Sequence, residues 1–239
     1  MKDNLLTNGR IISNKYEVID FLGKGQEGEV YKVRERYTKK LRAIKLFYPQ
    51  RDQRGVVSSR IAKKLDKLSE SPLVLNYLSY EFMTLRGDTY ACMTTEFING
   101  EMLSDFVNKQ RQKRLNVFVA IHLLYTLAIG IDSIHSLGEY HGDLHTDNIL
   151  IQKFGLEFDL KIIDFHHWGD SKQANREEDI VKLVRIFYDI LGGQKYYSSQ
   201  PDSVKYIICG LKRSYILDRF KSINHLIYYI ENMDWSGTL

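Results

Sequence analysis

With 239 residues, 44% hydrophobic and 27% charged side chains and only three prolines, the chain has the composition of a globular protein. That composition allows one sizeable core or two small lobes and excludes a linker-rich, low-complexity protein. The net charge of +4 is uneven: residues 1–99 hold 18 Lys and Arg against 12 Asp and Glu, and the remainder holds 16 against 18.

The basic first part contains no stretch of four or more consecutive basic residues, so a solvated surface is expected rather than a nucleic-acid-binding one. No run of about 18 apolar residues predicts a membrane span. The opening "MKDNLLTNGR" lacks an apolar signal core, and Cys92 and Cys209 have no pairing pattern. A reducing, cytoplasmic compartment is expected, or a host cytosol if the protein is delivered there as an effector.

In chain order, the first third reads as strands. "YEVIDFLGKG" is an apolar run ending in glycines, and "GEVYKVRER" alternates Val30, Lys32 and Arg34 against Tyr31 and Val33. "RAIKLFY" follows the short polar tip "YTKK", which predicts a hairpin. Residues 54–70 read as a helix, with Ile61, Leu65 and Leu68 at helical spacing. "VLNYLSYEF" and "TYACMTTEFI" flank a turn at Arg86-Gly87-Asp88 and predict another strand pair.

After "NGE" the period changes. "FVAIHLLYTLAIGIDSIHSL" places Phe118, Ile121, Leu124, Ala128, Ile131 and Ile134 on one helical face. "DIVKLVRIFYDILGG" does the same with Ile180, Leu183, Val184, Phe187 and Leu191, then stops at Gly192-Gly193. "FKSINHLIYYIENM" gives a third helix, and a β-hairpin is predicted at 148–163 around Phe154-Gly155. The boundary falls near Phe97–Glu101, giving domains 11–98 and 99–239 as two lobes of one unit with a cleft between them.

Four stretches carry chemistry. "GKGQEG", from Gly23, leads into the alternating "EVYKV" rather than a helix, which fits a phosphate-covering flap between two strands or a plain hairpin turn with a bulge. Lys45 sits in an apolar strand, where it needs a partner, a cleft or a strand end facing water. "HGDLHTDNIL", 141–150, is either a histidine-rich metal cluster or the pattern H-x-D-x-x-x-x-N. Zinc is disfavoured because it needs three or four converging ligands, and Gly138 with the polar turn argues against a helix that would align His141 and His145. In the second pattern Asp143 orients a hydroxyl proton and Asn148 offers oxygen to a hard cation. Asp164 ends the apolar run "LKII" and precedes Phe165.

Glycine flap, strand lysine, H-x-D-x-x-x-x-N and strand-Asp-Phe occur in that order, and here the chain resembles the protein kinase superfamily over roughly residues 16–235. The resemblance implies an α+β, bilobal fold: a small antiparallel sheet with one helix, then a mostly helical lobe with a reduced activation segment. It implies that Gly23, Gly25, Gly28 and Val30 cover ATP, that Ala43 touches adenine and that Lys45 binds the α/β-phosphates. Thr95 would lie behind adenine, with Glu96 to Ile98 as the hinge and Leu150 completing the nucleotide set. Asp143 resembles the catalytic aspartate, Asn148 and Asp164 the Mg2+ ligands, and Asp179 the buried anchor of the catalytic loop. N-terminal helix-dipole favour would also explain an acid at the head of "DIVKL".

The departures are specific. No glutamate stands near Ile61 or Ala62 to pair with Lys45; Asp66 and Glu70 come one or two turns late. Gly142 replaces the arginine of activation-loop-phosphorylated kinases, His145 a common lysine, and "DFHHWG" the D-F-G. Only 15 residues separate Asp164 from Asp179, and no A-P-E motif appears. "HGDLH" is also similar to aminoglycoside and choline kinases. The expected function is transfer of the γ-phosphoryl of ATP, with Mg2+, to a hydroxyl, foremost Ser/Thr of a protein substrate. The alternatives are a small-molecule kinase and a nucleotide-binding pseudokinase; His166, His167 and Trp168 are candidates for substrate contact. Acceptor and oligomeric state are left open by the sequence.

Overall fold

The computed structural model describes residues 4–154, 157–166 and 171–234. They divide into two compact units: residues up to Glu70 with Leu75–Ile98, and Ser71–Val74 with the chain from Asn99 onward.

Unit 1 is a six-stranded antiparallel sheet, β1 (Ile11–Ile12), β2 (Tyr16–Lys24), β3 (Gly28–Glu35), β4 (Leu41–Phe47), β5 (Tyr77–Leu85) and β6 (Asp88–Glu96), in the order β1-β2-β3-β4-β6-β5. One face carries the core: Tyr16, Val18, Tyr31, Val33, Ile44, Leu46, Tyr90 and Cys92, closed by Leu6 from the N-terminal segment. Glu29, 5% exposed, holds that segment, accepting from Leu5 N at 2.9 Å and from the Tyr31 hydroxyl. Its other oxygen takes the Tyr48 hydroxyl at 3.1 Å, and burial, then this hydrogen bond, pushes the Tyr48 phenol up to about 12.

Helix α1 is Val56–Lys67, shorter than the 54–70 read from periodicity. Gly55 is left-handed (φ 70°), so Gln53–Gly55 forms a separate 3-10 turn. The first turn is served from upstream by Asp52, whose carboxylate accepts from Val57 N at 2.9 Å and Ser58 N at 3.3 Å and takes the Ser58 hydroxyl. Gly28 is fixed by close approach: a Cβ there would stand 1.9 Å from the Leu46 carbonyl oxygen, a backbone atom that cannot swing away. Gly28→Ala is therefore expected to destabilise unit 1 by roughly 1–3 kcal/mol. Thermal unfolding reads this, and an unchanged midpoint would refute the tight β3–β4 contact.

Unit 2 is mostly helical, as its sequence period predicts. Helix α2 is Leu103–Asn108; α3 is Val117–Ser136, with Asn116 capping through Val119 N at 2.9 Å; α4 is Lys172–Ile190. Short helices follow, α5 (Gln194–Tyr197), α6 (Asp202–Ile208) and α7 (Arg213–Arg219), then α8 (Ile223–Glu231). Strands β7 (Glu101–Met102), β8 (Ile149–Phe154) and β9 (Glu157–Ile162) form a small sheet in that order, and Val74 bridges Ile162. Helix α3 is long and apolar enough to cross a membrane by length and composition; it packs on α4 and α8 and buries Ile121, Leu124, Leu127, Ile131 and Ile134 as a core helix does.

Two expectations change. Phe118 lies at 56% exposure rather than on the buried face of α3, because it sits in the first turn, ahead of the packed stretch that begins at Ala120. Asp179 is not at a helix head: α4 starts at Lys172, two turns earlier, so dipole favour does not explain it. Helices α2 and α5–α7 escaped the sequence reading because four to seven residues are too few to register a 3.6-residue period. The tip of the 148–163 hairpin, at Gly155, and the candidates His167 and Trp168 lie outside the described residues.

Candidate active site

Antiparallel register aligns the expected nucleotide residues of unit 1. Gly23 pairs with Val30, Val30 with Lys45, and Lys45 with Met93; two residues along, Lys32 pairs with Ala43 and Ala43 with Thr95. Because strand side chains alternate, Val30, Ala43, Lys45 and Thr95 share one face, opposite the one that bears Tyr31, Ile44, Leu46 and Cys92. A Cβ at Gly23 or Gly25 would meet nothing within 4 Å, so the protein's own packing does not require glycine there. Open space against exposed backbone is what a phosphate-covering loop requires.

Lys45 does have an acidic partner within unit 1, and it is not on the helix. Its Nζ lies 2.7 Å from Glu27 Oε2, a residue of the glycine loop itself. The buried face of α1 offers Ser58, Ile61, Ala62, Lys64 and Leu65, with no carboxylate among them. At the end of β6, Glu96 ties the hinge to the residue before β5: its N donates to Asn76 O at 3.0 Å and its Oε1 accepts from Asn76 N at 2.9 Å. Thr95 is 6% exposed and donates its hydroxyl to Glu96 O at 3.1 Å; Ile98 ends the unit.

In unit 2 the stretch 141–148 is a loop closing in a 3-10 turn, Thr146–Asn148. It is held from beneath by Asp179, 1% exposed on α4. Asp179 accepts from His141 N at 2.7 Å, Gly142 N at 3.0 Å and His135 Nε2 at 3.1 Å. A carboxylate with three donors is fully engaged, which is how a buried acid is tolerated. Gly142 has φ 90°, a conformation in which any other residue would be strained, and this lets both consecutive N–H groups point at Asp179.

His141 is fully buried, and its tautomer follows from its neighbours. Its Nδ1 accepts from Asp143 N at 3.2 Å, so the proton sits on Nε2, which donates to Ile163 O at 2.8 Å. The histidine is thus a brace between the loop and the segment after β9, with Phe165 against its ring at 4.6 Å.

Asp143 is half-buried on this loop. Asn148 Nδ2 donates to its backbone O at 2.8 Å and stands 3.5 Å from its Oδ2. Since that carbonyl can only accept, the amide must turn its nitrogen inward, which leaves Asn148 Oδ1 aimed away as an acceptor. His145 Nδ1 accepts from Asp147 N at 3.2 Å, so its Nε2 bears the proton, 3.5 Å from Asp143 Oδ2. His166 Nε2 lies 3.7 Å from the same oxygen. Asp164 is exposed, two residues past β9, with φ 56°. Leu150 belongs to this unit, in β8 between Met102 and Lys161.

Among the described residues no group of three or more His, Cys, Asp or Glu side chains is placed to hold a metal ion. Asn148 Oδ1 and the Asp164 carboxylate are oxygen donors of the kind Mg2+ takes from a protein when phosphates and water complete the shell, so the residues fit that ion better than zinc. Sequence reasoning missed Glu27 and His135. A glutamate inside a glycine loop looks like any polar tip residue, and His135 ends a helix with nothing to mark its partner 44 positions on.

The family model described as "Protein kinase domain" matches residues 16–204. Homeodomain-interacting protein kinase 1 of Mus musculus is 31% identical over 158 residues, covering 64% of this chain and 13% of its own length. Rho-associated protein kinase 1 of Homo sapiens is 29% identical over 176 residues, covering 73% of this chain and 12% of its own. The chain therefore spans about an eighth of the length of these relatives. Among solved structures, the kinase domain of PknI from Mycobacterium tuberculosis aligns with TM-score 0.68 at 14% identity, over 95% of this chain and 98% of that one, a likeness of fold.

Proposed function

The chain belongs to the protein kinase family, and we propose that it transfers the γ-phosphoryl group of ATP to a serine or threonine hydroxyl of a protein. The observation that carries this reading is Asp143: a half-exposed carboxylate on a loop whose backbone is tied to the buried Asp179. Its Oδ2 faces His145 and His166. That leaves Oδ1 to receive an acceptor hydroxyl, and a fixed carboxylate there orients the oxygen and draws its proton as the bond forms.

Bound Mg–ATP would supply the phosphoryl group and the counter-charge, with Asn148 and Asp164 offering oxygens to the ion and Lys45 its ammonium to the phosphates. Val30, Ala43 and Thr95 would line the base and sugar side of the site, with the backbone of Glu96 to Ile98 serving the adenine edge. Both cysteines are free and buried, which supports a reducing, cytosol-like compartment.

A second reading, a small-molecule acceptor, draws on one feature. Only residues 165–171 separate Asp164 from α4, where a peptide-docking segment would lie. Transfer of label from γ-labelled ATP in lysate, followed by size separation, tests both. Label on macromolecules supports the protein acceptor, label on small species transfers the reading to a metabolite, and no label above an Asp143→Ala control rejects phosphotransfer.

His145 is a positioning residue in this scheme. His145→Ala is expected to lower kcat roughly threefold to tenfold, the worth of about one exposed hydrogen bond to a charged group, with the KM for ATP unchanged. His145→Lys, which restores a donor toward Oδ2, should recover most of the loss. An equal fall for both variants, or a rise in KM alone, would remove His145 from this role.

A further inference from the structure

The ion pair between Glu27 and Lys45 has a consequence for ligand binding, resting on the reading above that Lys45 serves nucleotide phosphates. We propose that Glu27 is an internal competitor for the nucleotide, its carboxylate holding the Lys45 ammonium that a phosphate must take over. The two groups are 2.7 Å apart, with side chains 29% and 15% exposed, so the contact is only partly screened by water.

The placement is fixed by the fold. Gly25 N donates to Gly28 O at 2.9 Å, closing the loop tip, and Tyr48 N donates to Glu27 O at 2.7 Å, pinning the glutamate backbone over the end of β4. From there the side chain reaches down to Lys45, whose strand partner is Val30. Gly23 and Gly25 leave open space beside the same loop.

An anion brought under this loop meets Lys45 already neutralised and a carboxylate at ion-pair distance from it. Two outcomes are then possible in electrostatic terms. A triphosphate can displace the carboxylate, losing the ion pair, or lie beside it and meet like-charge repulsion. Each makes the wild-type affinity lower than that of a protein with a neutral side chain at position 27. The opposite role, a glutamate that positions Lys45 as a helix glutamate would, predicts that neutralising it weakens binding. The sign of one measurement separates the two.

The experiment is titration calorimetry of Mg–ATP, Mg–ADP and adenosine into wild type, Glu27→Gln and Glu27→Ala. Glutamine keeps the shape and a hydrogen bond to Lys45 while removing the charge. The expected result is ATP bound roughly threefold to tenfold tighter by both variants, the scale of one partly exposed ion pair, a smaller gain for ADP and none for adenosine. Unchanged or weaker ATP binding by both variants overturns the proposal, as does an equal shift for adenosine, which would mean that the loop had merely rearranged. If wild type and variants all fail to bind ATP while unfolding cooperatively on heating, the nucleotide reading itself falls and the competitor role falls with it. Binding by wild type without a gain in the variants sinks the competitor role alone.

Discussion

Asp143→Ala is expected to reduce phosphotransfer by about 10²–10⁴-fold, the range that a positioned general base contributes, while leaving the thermal midpoint nearly unchanged. The two halves of that expectation have one structural cause. The side chain is half-exposed, and its neighbours Asn148, His145 and His166 also touch solvent or bond to backbone, so truncation leaves no buried donor stranded. The loop itself hangs on Asp179 and on His141, neither of which needs the Asp143 side chain. Mg–ATP binding should persist, since Asp143 is assigned to the acceptor hydroxyl rather than to the nucleotide. Single-turnover transfer alongside calorimetry separates these effects. Full transfer by the variant would remove Asp143 from the chemistry, and loss of nucleotide binding would reassign it to the metal site.

Asp179→Ala should act in the opposite proportion, damaging stability and activity together. The substitution removes an acceptor that serves two consecutive backbone N–H groups and one imidazole, from a position 1% exposed. A buried donor left without a partner costs about 1–3 kcal/mol, and two or three of them, partly relieved as water enters the space left by the carboxylate, put the loss at roughly 2–5 kcal/mol. For a chain of this size that lowers the midpoint by roughly 5–15 °C. With the clamp gone, Asp143 loses its fixed place, so transfer should fall even at temperatures where the variant stays folded. Asp179→Asn should land between, because its amide oxygen can serve one N–H but its NH2 opposes another. A midpoint within 2 °C of wild type for Asp179→Ala, read by circular dichroism, would show that the loop stands without the carboxylate.

Much of the fold could be read in the chain because its two halves use different periods. Alternation in "GEVYKVRER" and the 3.6-residue repeat from Ile121 to Ile134 are local properties, and each specifies an element whatever surrounds it. The glycine loop, Lys45, Asp143, Asn148 and Asp164 stand out as candidates for a related reason: the chemistry proposed for them depends on residue types at short fixed spacings within one turn or strand. Order and spacing also lead to the expectation of a reduced segment before α4, and seven residues, 165–171, stand between Asp164 and that helix.

What could not be read is what depends on pairs far apart in sequence. His135 and Asp179 are 44 positions apart and meet because α3 packs on α4. The helix that bears Asp179 begins at Lys172, within a polar stretch that periodicity does not mark, so the residue looked like a helix head and is an internal anchor. Sequence alone fixed the identity of the charged groups and which strands and helices bear them. Only tertiary structure decided their partners. Register across β3, β4 and β6 put Val30, Ala43, Lys45 and Thr95 on one face, and a loop closed by two backbone hydrogen bonds gave Lys45 the carboxylate that its neighbouring helix lacks. The physical reason is range: backbone propensity and side-chain periodicity act over a few residues, whereas a charge is neutralised by whichever opposite charge the packed chain brings within a few ångströms.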